Sequence, residues 1–124
     1  VEAVDACAYG LRREIVGYIE NPMSCDYVGV VNKILGFTQE FVEQQLQQNP
    51  NASKESLNKS SIELVLRMFE MRVRELLRQE DVGCGVMLAD VLSDIESQIS
   101  THISTKVLIE SLVVRWKQVF CVLH

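Results

Sequence analysis

Between Leu88 and Leu123 the chain repeats one spacing without a slip: Leu88, Leu92, Ile95, Ile99, His102, Lys106, Ile109, Val113, Trp116, Phe120 and Leu123 follow in alternating steps of four and three. Such steps place side chains on one stripe of an α-helix, whereas a half-buried strand needs a step of two. Nine of the eleven positions are apolar, and the two polar ones, His102 and Lys106, are neighbours in the series. The stripe therefore reads as a heptad seam with a polar interruption at its middle. Its unbroken phase predicts one helix over 86–123, about 57 Å long at roughly 1.5 Å per residue. The stretch 100–105 (STHIST) is a poor helix former, and is where such a helix would kink or break in two.

Helical spacing also organises the rest. Val4, Ala8, Leu11, Ile15 and Ile19 predict a helix over about 2–20, stopped at Asn21-Pro22 because a residue before proline is pushed out of the α region. A second helix follows to about residue 48, capped by Ser24 or Asp26 and ended by Asn49-Pro50-Asn51. The polar connector 49–60 leads to a third segment with Ile62, Leu66, Phe69, Val73, Leu76 and Leu77 on one face. Ser53 is one possible start for it, and Ser60-x-x-Glu63, which has the form of a capping box, is the stronger one. Gly83-Cys84-Gly85 is expected to break this helix with a left-handed cap. The predicted core is Leu11, Ile15, Val31, Leu35, Val42, Leu66, Phe69, Val73, Leu92, Ile95, Ile99, Val113, Trp116 and Phe120. The expected fold is all-α, an antiparallel bundle of three to five helices with a long C-terminal helix. It forms a single domain over 1–124, in which 1–20 is an accessory or preceding helix.

Composition supports that class and narrows function. Hydrophobic residues make up 48% of the 124, enough for a core, while Gly (6) and Pro (2) are too few for the many turns of a sandwich or small barrel. Twelve Lys and Arg against 17 Asp and Glu give a net charge of −5. That balance argues against nucleic acid, whose binders need surplus cations to displace counterions. No window approaches the roughly 18 uncharged apolar residues of a membrane span, so no membrane insertion is expected. A chain beginning at Val1 is expected to be a piece of a larger protein or a processed form.

The residue types that carry chemistry are present but not arranged for it. Cys7, Cys25, Cys84 and Cys121 have neither metal-knuckle nor redox-pair spacing, and His102 and His124 add little. No metal site is expected, and reduced, buried cysteines in a cytoplasmic protein are. His102 lies on the seam, where a partly buried histidine is ordinary, and the carboxylate pair Asp90 and Asp94 is common on helix surfaces. Gly83-Cys84-Gly85 lacks the third glycine and lysine of a phosphate loop. Neither catalysis nor a cofactor is expected. The basic run Arg67–Arg78 reads as the solvated face of a helix. Asn51-Ala-Ser53 and Asn58-Lys-Ser60 have the form of glycosylation sites. With the four cysteines they motivate an alternative reading, a secreted cytokine-like helical ligand. A small apoptosis-regulating bundle is a third.

The end of the last segment, Leu112-Val-Val-Arg115-Trp116-Lys-Gln-Val119, resembles the close of a spectrin-type repeat, which often has a leucine, then Arg-Trp, then an apolar residue three later. Segments over about 24–49, 53–80 and 86–123 suit the triple-helical unit of that family. The resemblance implies a scaffold such as the spectrins, dystrophins, nesprins or some A-kinase anchoring proteins, which link cytoskeleton, nuclear envelope or signalling enzymes without catalysis. The expected function is thus a non-enzymatic protein–protein interaction module of an intracellular scaffold or cytoskeleton-linked protein. Its partner would be another protein, a second copy or an adjacent repeat. Apolar residues beyond the seam, Val107, Leu108, Leu112, Val114, Val119 and Val122, are more than a three-helix core can take in. Leu108, Leu112, Val119 and Val122 are accordingly the candidate partner surface; packing of the first segment over them is the competing account.

Overall fold

The computed structural model describes residues 12–24, 26–79, 81–101 and 103–123. Among them are five helices and no strand: α1 over 12–20, α2 (Tyr27–Gln48), α3 (Lys54–Arg78), α4 (Val82–Gln98) and α5 (Thr105–Leu123), with a 3-10 turn at Pro22–Ser24. The predicted all-α class is the observed one.

The helix ends follow from local chemistry. Asn21 closes α1 with its N–H on the Gly17 carbonyl, 3.1 Å away, and Pro22 cannot continue it. The Asp26 carboxylate caps α2 by accepting the Gly29 N–H at 3.1 Å. Asn49 takes the last bond of α2, to Gln45, and Pro50 follows. Ser53, not Ser60, caps α3: its hydroxyl accepts the Ser56 N–H at 3.3 Å, so Ser60 and Glu63 lie inside the helix. The earlier start brings the half-buried Leu57 onto the helix ahead of the buried Ile62, whereas a start at residue 60 would leave Leu57 off it.

The glycine pair does not end α3. That helix stops at Arg78, Asp81 caps α4 by accepting the Cys84 N–H, and Gly83 and Gly85 both sit in the first turns of α4. No described glycine has positive φ; the use of Gly85 is space. A Cβ there would come within 2.9 Å of Leu77 Cδ2, so the missing side chain lets α3 and α4 close into a tight hairpin.

The single helix expected over 86–123 is two. Thr101 and Ile99 close α4 with bonds to Gln98 and Glu96, three residues back, and the Thr101 hydroxyl adds a 2.6 Å bond to the Gln98 carbonyl. Ser104 then caps α5, accepting the Val107 N–H at 3.3 Å. The hydroxyls satisfy the backbone groups that a continuous helix would have paired.

Four helices form a ring in which α2 packs on α3, α3 on α4, α4 on α5 and α5 back on α2. Short connections make sequence neighbours antiparallel, as the pairing of Leu77 with Gly85 and of Arg115 with Asp94 shows. α1 runs beside α5 in the same direction. The Tyr18 hydroxyl donates to the Val113 carbonyl at 2.7 Å, and Trp116 Nε1 donates to the Ile19 carbonyl at 3.2 Å. Trp116 is fully buried, with Phe69 edge-on at 4.8 Å and 86° and Phe120 tilted at 6.2 Å. Both aromatic polar groups find carbonyl partners, so neither leaves an unpaired buried donor. Of the predicted core, Leu35 and Phe120 are partly buried against the cluster, Leu11 lies outside the described residues, and the others are buried. Tyr18, Leu88 and Ile34 join them.

Candidate interaction surface

Of the expected partner residues, Leu108, Leu112 and Val119 are buried, at 1%, 2% and 6% exposure, and form no surface. The competing account is the observed one: Tyr18 and Ile19 of α1 lie over α5 and cover the surplus. Val122 is exposed, beside Cys121 on the last turn, and the Cys121 thiol lies 3.6 Å from the Met23 sulfur. Of the six surplus residues the bundle thus takes Leu108, Leu112 and Val119 as ordinary core, half-buries Val114, and leaves Val107 and Val122 exposed.

The other sequence candidates fall as follows. Cys84 is buried and free; Cys121 is free but exposed, contrary to the expectation of burial. Burial pushes the Cys84 thiol above its ordinary range, helped by the nearby Asp81 carboxylate and opposed by Arg72. Cys7, Cys25, His102 and His124 lie outside the described residues. Among the described residues no three His, Cys, Asp or Glu cluster as metal ligands, and no helix is long and apolar enough to cross a membrane. Asn51 is exposed in the α2–α3 turn, whereas Asn58 is half-buried within α3, its carbonyl taken by the Ser61 hydroxyl. The run Arg67–Arg78 puts Arg67, Arg74 and Arg78 in solvent and Phe69 and Val73 in the core. A cleft of about 400 Å³ lies between the start of α3 and the α4–α5 turn, floored by Ile62, Ile99 and Leu108. The charges at its rim, Lys59 and Glu55, pair with each other at 4.0 Å.

Exposed apolar side chains collect instead at the α3–α4 corner. The inner face of α4 carries Cys84, Leu88, Val91, Leu92 and Ile95. Its outer face begins with Val82, Val86 and Met87, exposed by 48%, 49% and 38%. Val82 and Val86 are one turn apart and share a side of the helix. Leu77, expected on the buried seam of α3, is instead exposed by 41%: at the end of the helix it lies against Gly85, outside the core, and extends the patch from α3. Gly83 lies exposed between these residues, and a Cβ there would meet nothing within 4 Å. One turn further along, the same face turns acidic with Asp90 and Asp94, the latter paired with Arg115. Four large apolar side chains at one corner differ from the scattered single ones of an ordinary surface.

Sequence reasoning missed this strip because it followed the inner seam of the same segment. Its signal was nevertheless present: Val82, Val86 and Met87 lie opposite Leu88, Leu92 and Ile95 in helical phase. The chain matches no family model, no curated protein and no solved structure.

Proposed function

We propose that the chain is a non-enzymatic protein-binding helical module, part of an intracellular scaffold or cytoskeleton-linked protein, and that it binds through the outer face of α4. The observation that carries this reading is the exposure of four large apolar side chains, Leu77, Val82, Val86 and Met87, at the one α3–α4 corner. A four-helix ring with α1 on its side already buries the opposite face of α4, so Val82, Val86 and Met87 lie outside the core, while Leu77 is only half-covered where it packs on Gly85. Large apolar groups kept in water on a helix already anchored by its opposite face are suited to contact with another protein. The spectrin-like Leu112, Arg115-Trp116 and Val119 are consistent with a scaffold setting, through sequence alone.

The test is affinity capture with the tagged chain and with its Val86→Glu variant, followed by mass spectrometry. The expected result is a partner retained by the parent chain and lost by the variant, with the buried Trp116 fluorescence unchanged. An identical set of captured proteins from both chains would remove the α4 face from consideration.

A further inference from the structure

We infer that the occupant of the α4 face is an amphipathic helix with an apolar stripe and a cluster of Lys or Arg beyond it; this rests on the protein-binding reading above.

The helical form follows from the shape of the strip. Val82 and Val86 lie one turn apart along the helix axis and give a short ridge, flanked by Met87 and by Leu77 of α3, and Gly83 leaves a dent beside them. A ridge with an adjoining dent is what a second helix packs into, and a glycine at the contact lets two backbones approach closely. From Val82 to Asp94 the strip is about 18 Å long at roughly 1.5 Å per residue, so it accommodates a helix of about three turns.

The basic character follows from charge. Between Arg78 and Lys106 the chain has five carboxylates, Glu80, Asp81, Asp90, Asp94 and Glu96, and no Lys or Arg. Cations reach this region only from other elements. Arg115 on α5 pairs with Asp94, Arg72 on α3 faces Cys84 but pairs with Glu75, Arg74 lines the same cleft as Glu70 and Glu96, and Arg78 ends α3. Among the described residues these four arginines face six carboxylates, Glu70, Glu75, Asp81, Asp90, Asp94 and Glu96, which leaves the surroundings acidic. Asp90, exposed on the strip itself, joins none of the ion pairs among the described residues. A second copy of the chain would bring acidic strips together, at a cost in repulsion, whereas a partner with basic residues one turn beyond its apolar ones meets opposite charge. Charge of this kind selects among partners, while the apolar contact holds the one selected.

The experiment is fluorescence anisotropy with two labelled synthetic helices that share one apolar stripe. One carries Lys and Arg in its last two turns, the other Glu at the same positions. The whole chain should bind the basic helix about tenfold more tightly than the acidic one, the ratio expected of two or three partly screened charge contacts. That preference should shrink at 0.5 M salt and disappear in Asp90→Lys, which cancels the local excess of negative charge. Val86→Glu should weaken binding of both helices at least tenfold. Far-UV circular dichroism checks that each variant folds; Met87→Lys replaces Val86→Glu if the latter does not. Equal binding of the two helices would overturn the basic partner while leaving the protein-binding face intact. Binding of neither, or binding that Val86→Glu does not change, would overturn the face itself. A concentration-dependent dimer abolished by Val86→Glu would assign the strip to a second copy and likewise overturn the inference.

Discussion

Residues 54–78 and 86–123 make an instructive pair. Both carry a long apolar seam in helical phase, and both include hydroxyl residues near one end or the middle. The first is one helix of 25 residues, with Ser60 and Ser61 in its interior; the second folds back on itself at 99–104. Propensity alone does not separate them, since the buried Ser61 hydroxyl simply bonds back to the Asn58 carbonyl at 2.7 Å. Length does. A straight helix over 86–123 would run about 57 Å, while α3 offers roughly 37 Å of partner. The overhanging part would hold Ile109, Val113 and Trp116 in water. Folding back buries them, and Ser104 and Thr101 supply the caps. A seam records which residues face a core; it does not record the direction of the chain between them.

The largest effect expected from this contrast concerns α5. Leu112→Glu places an unpaired carboxylate in the core and should abolish the cooperative thermal transition, whereas Val86→Glu on the outer face of α4 should shift the midpoint little. A folded Leu112→Glu protein would restore the expectation that this side of α5 is free. Next come Trp116→Ala and Phe69→Ala, each expected to cost about 3–5 kcal/mol in urea unfolding. Because the rings touch, the double variant should lose less than the sum. A strictly additive result would mean that the two halves of the core, on α3 and α5, are energetically independent.

Smaller effects separate the two hydroxyl-rich stretches. Ser53→Ala and Ser104→Ala should each lose about 1 kcal/mol as caps, and Ser60→Ala, inside α3, close to nothing. Equal losses at Ser60 and Ser53 would return the start of α3 to the capping box. The smallest effect concerns Cys84. Its thiol is held above the ordinary value of 9.0 by burial, so the folded state keeps a proton that the unfolded chain releases. The linkage sign follows: Cys84 contributes full stability below pH 9 and loses it as pH rises through the alkaline range. Cys84→Ala should flatten that part of the stability profile. Alkylation followed by peptide mass mapping should modify Cys121 quickly and Cys84 only on unfolding.

The helical class was legible because apolar residues recur at helical spacing in every segment and because turn residues are scarce. Asn21-Pro22 and Asn49-Pro50 marked two helix ends correctly, since proline acts through local sterics that no tertiary contact overrides. Gly83 and Gly85 misled because a glycine can serve a turn or a close approach, and only the position of Leu77 decides which. The surplus on α5 was counted correctly yet given to a partner surface. Whether α1 lies over Leu112 and Val119 depends on contacts between residues nearly a hundred positions apart, which spacing does not encode. The α4 strip was passed over because the inner seam of the same helix explained that segment well enough to end the search.

The two bonds that join α1 to α5 also bear on the order of assembly. They link residues 95 and 97 positions apart, while the α3–α4 and α4–α5 hairpins close over short turns. Closing the longer loop has the greater entropy cost until the intervening hairpins have folded. The docking of α1 is therefore expected to be a late event, with its contacts absent from the rate-limiting ensemble. Tyr18→Phe should consequently speed unfolding in stopped-flow measurements and leave the refolding rate unchanged. In kinetic terms α1 would then be the latch of the bundle, contributing little to how fast the chain finds its fold and much to how long it stays there.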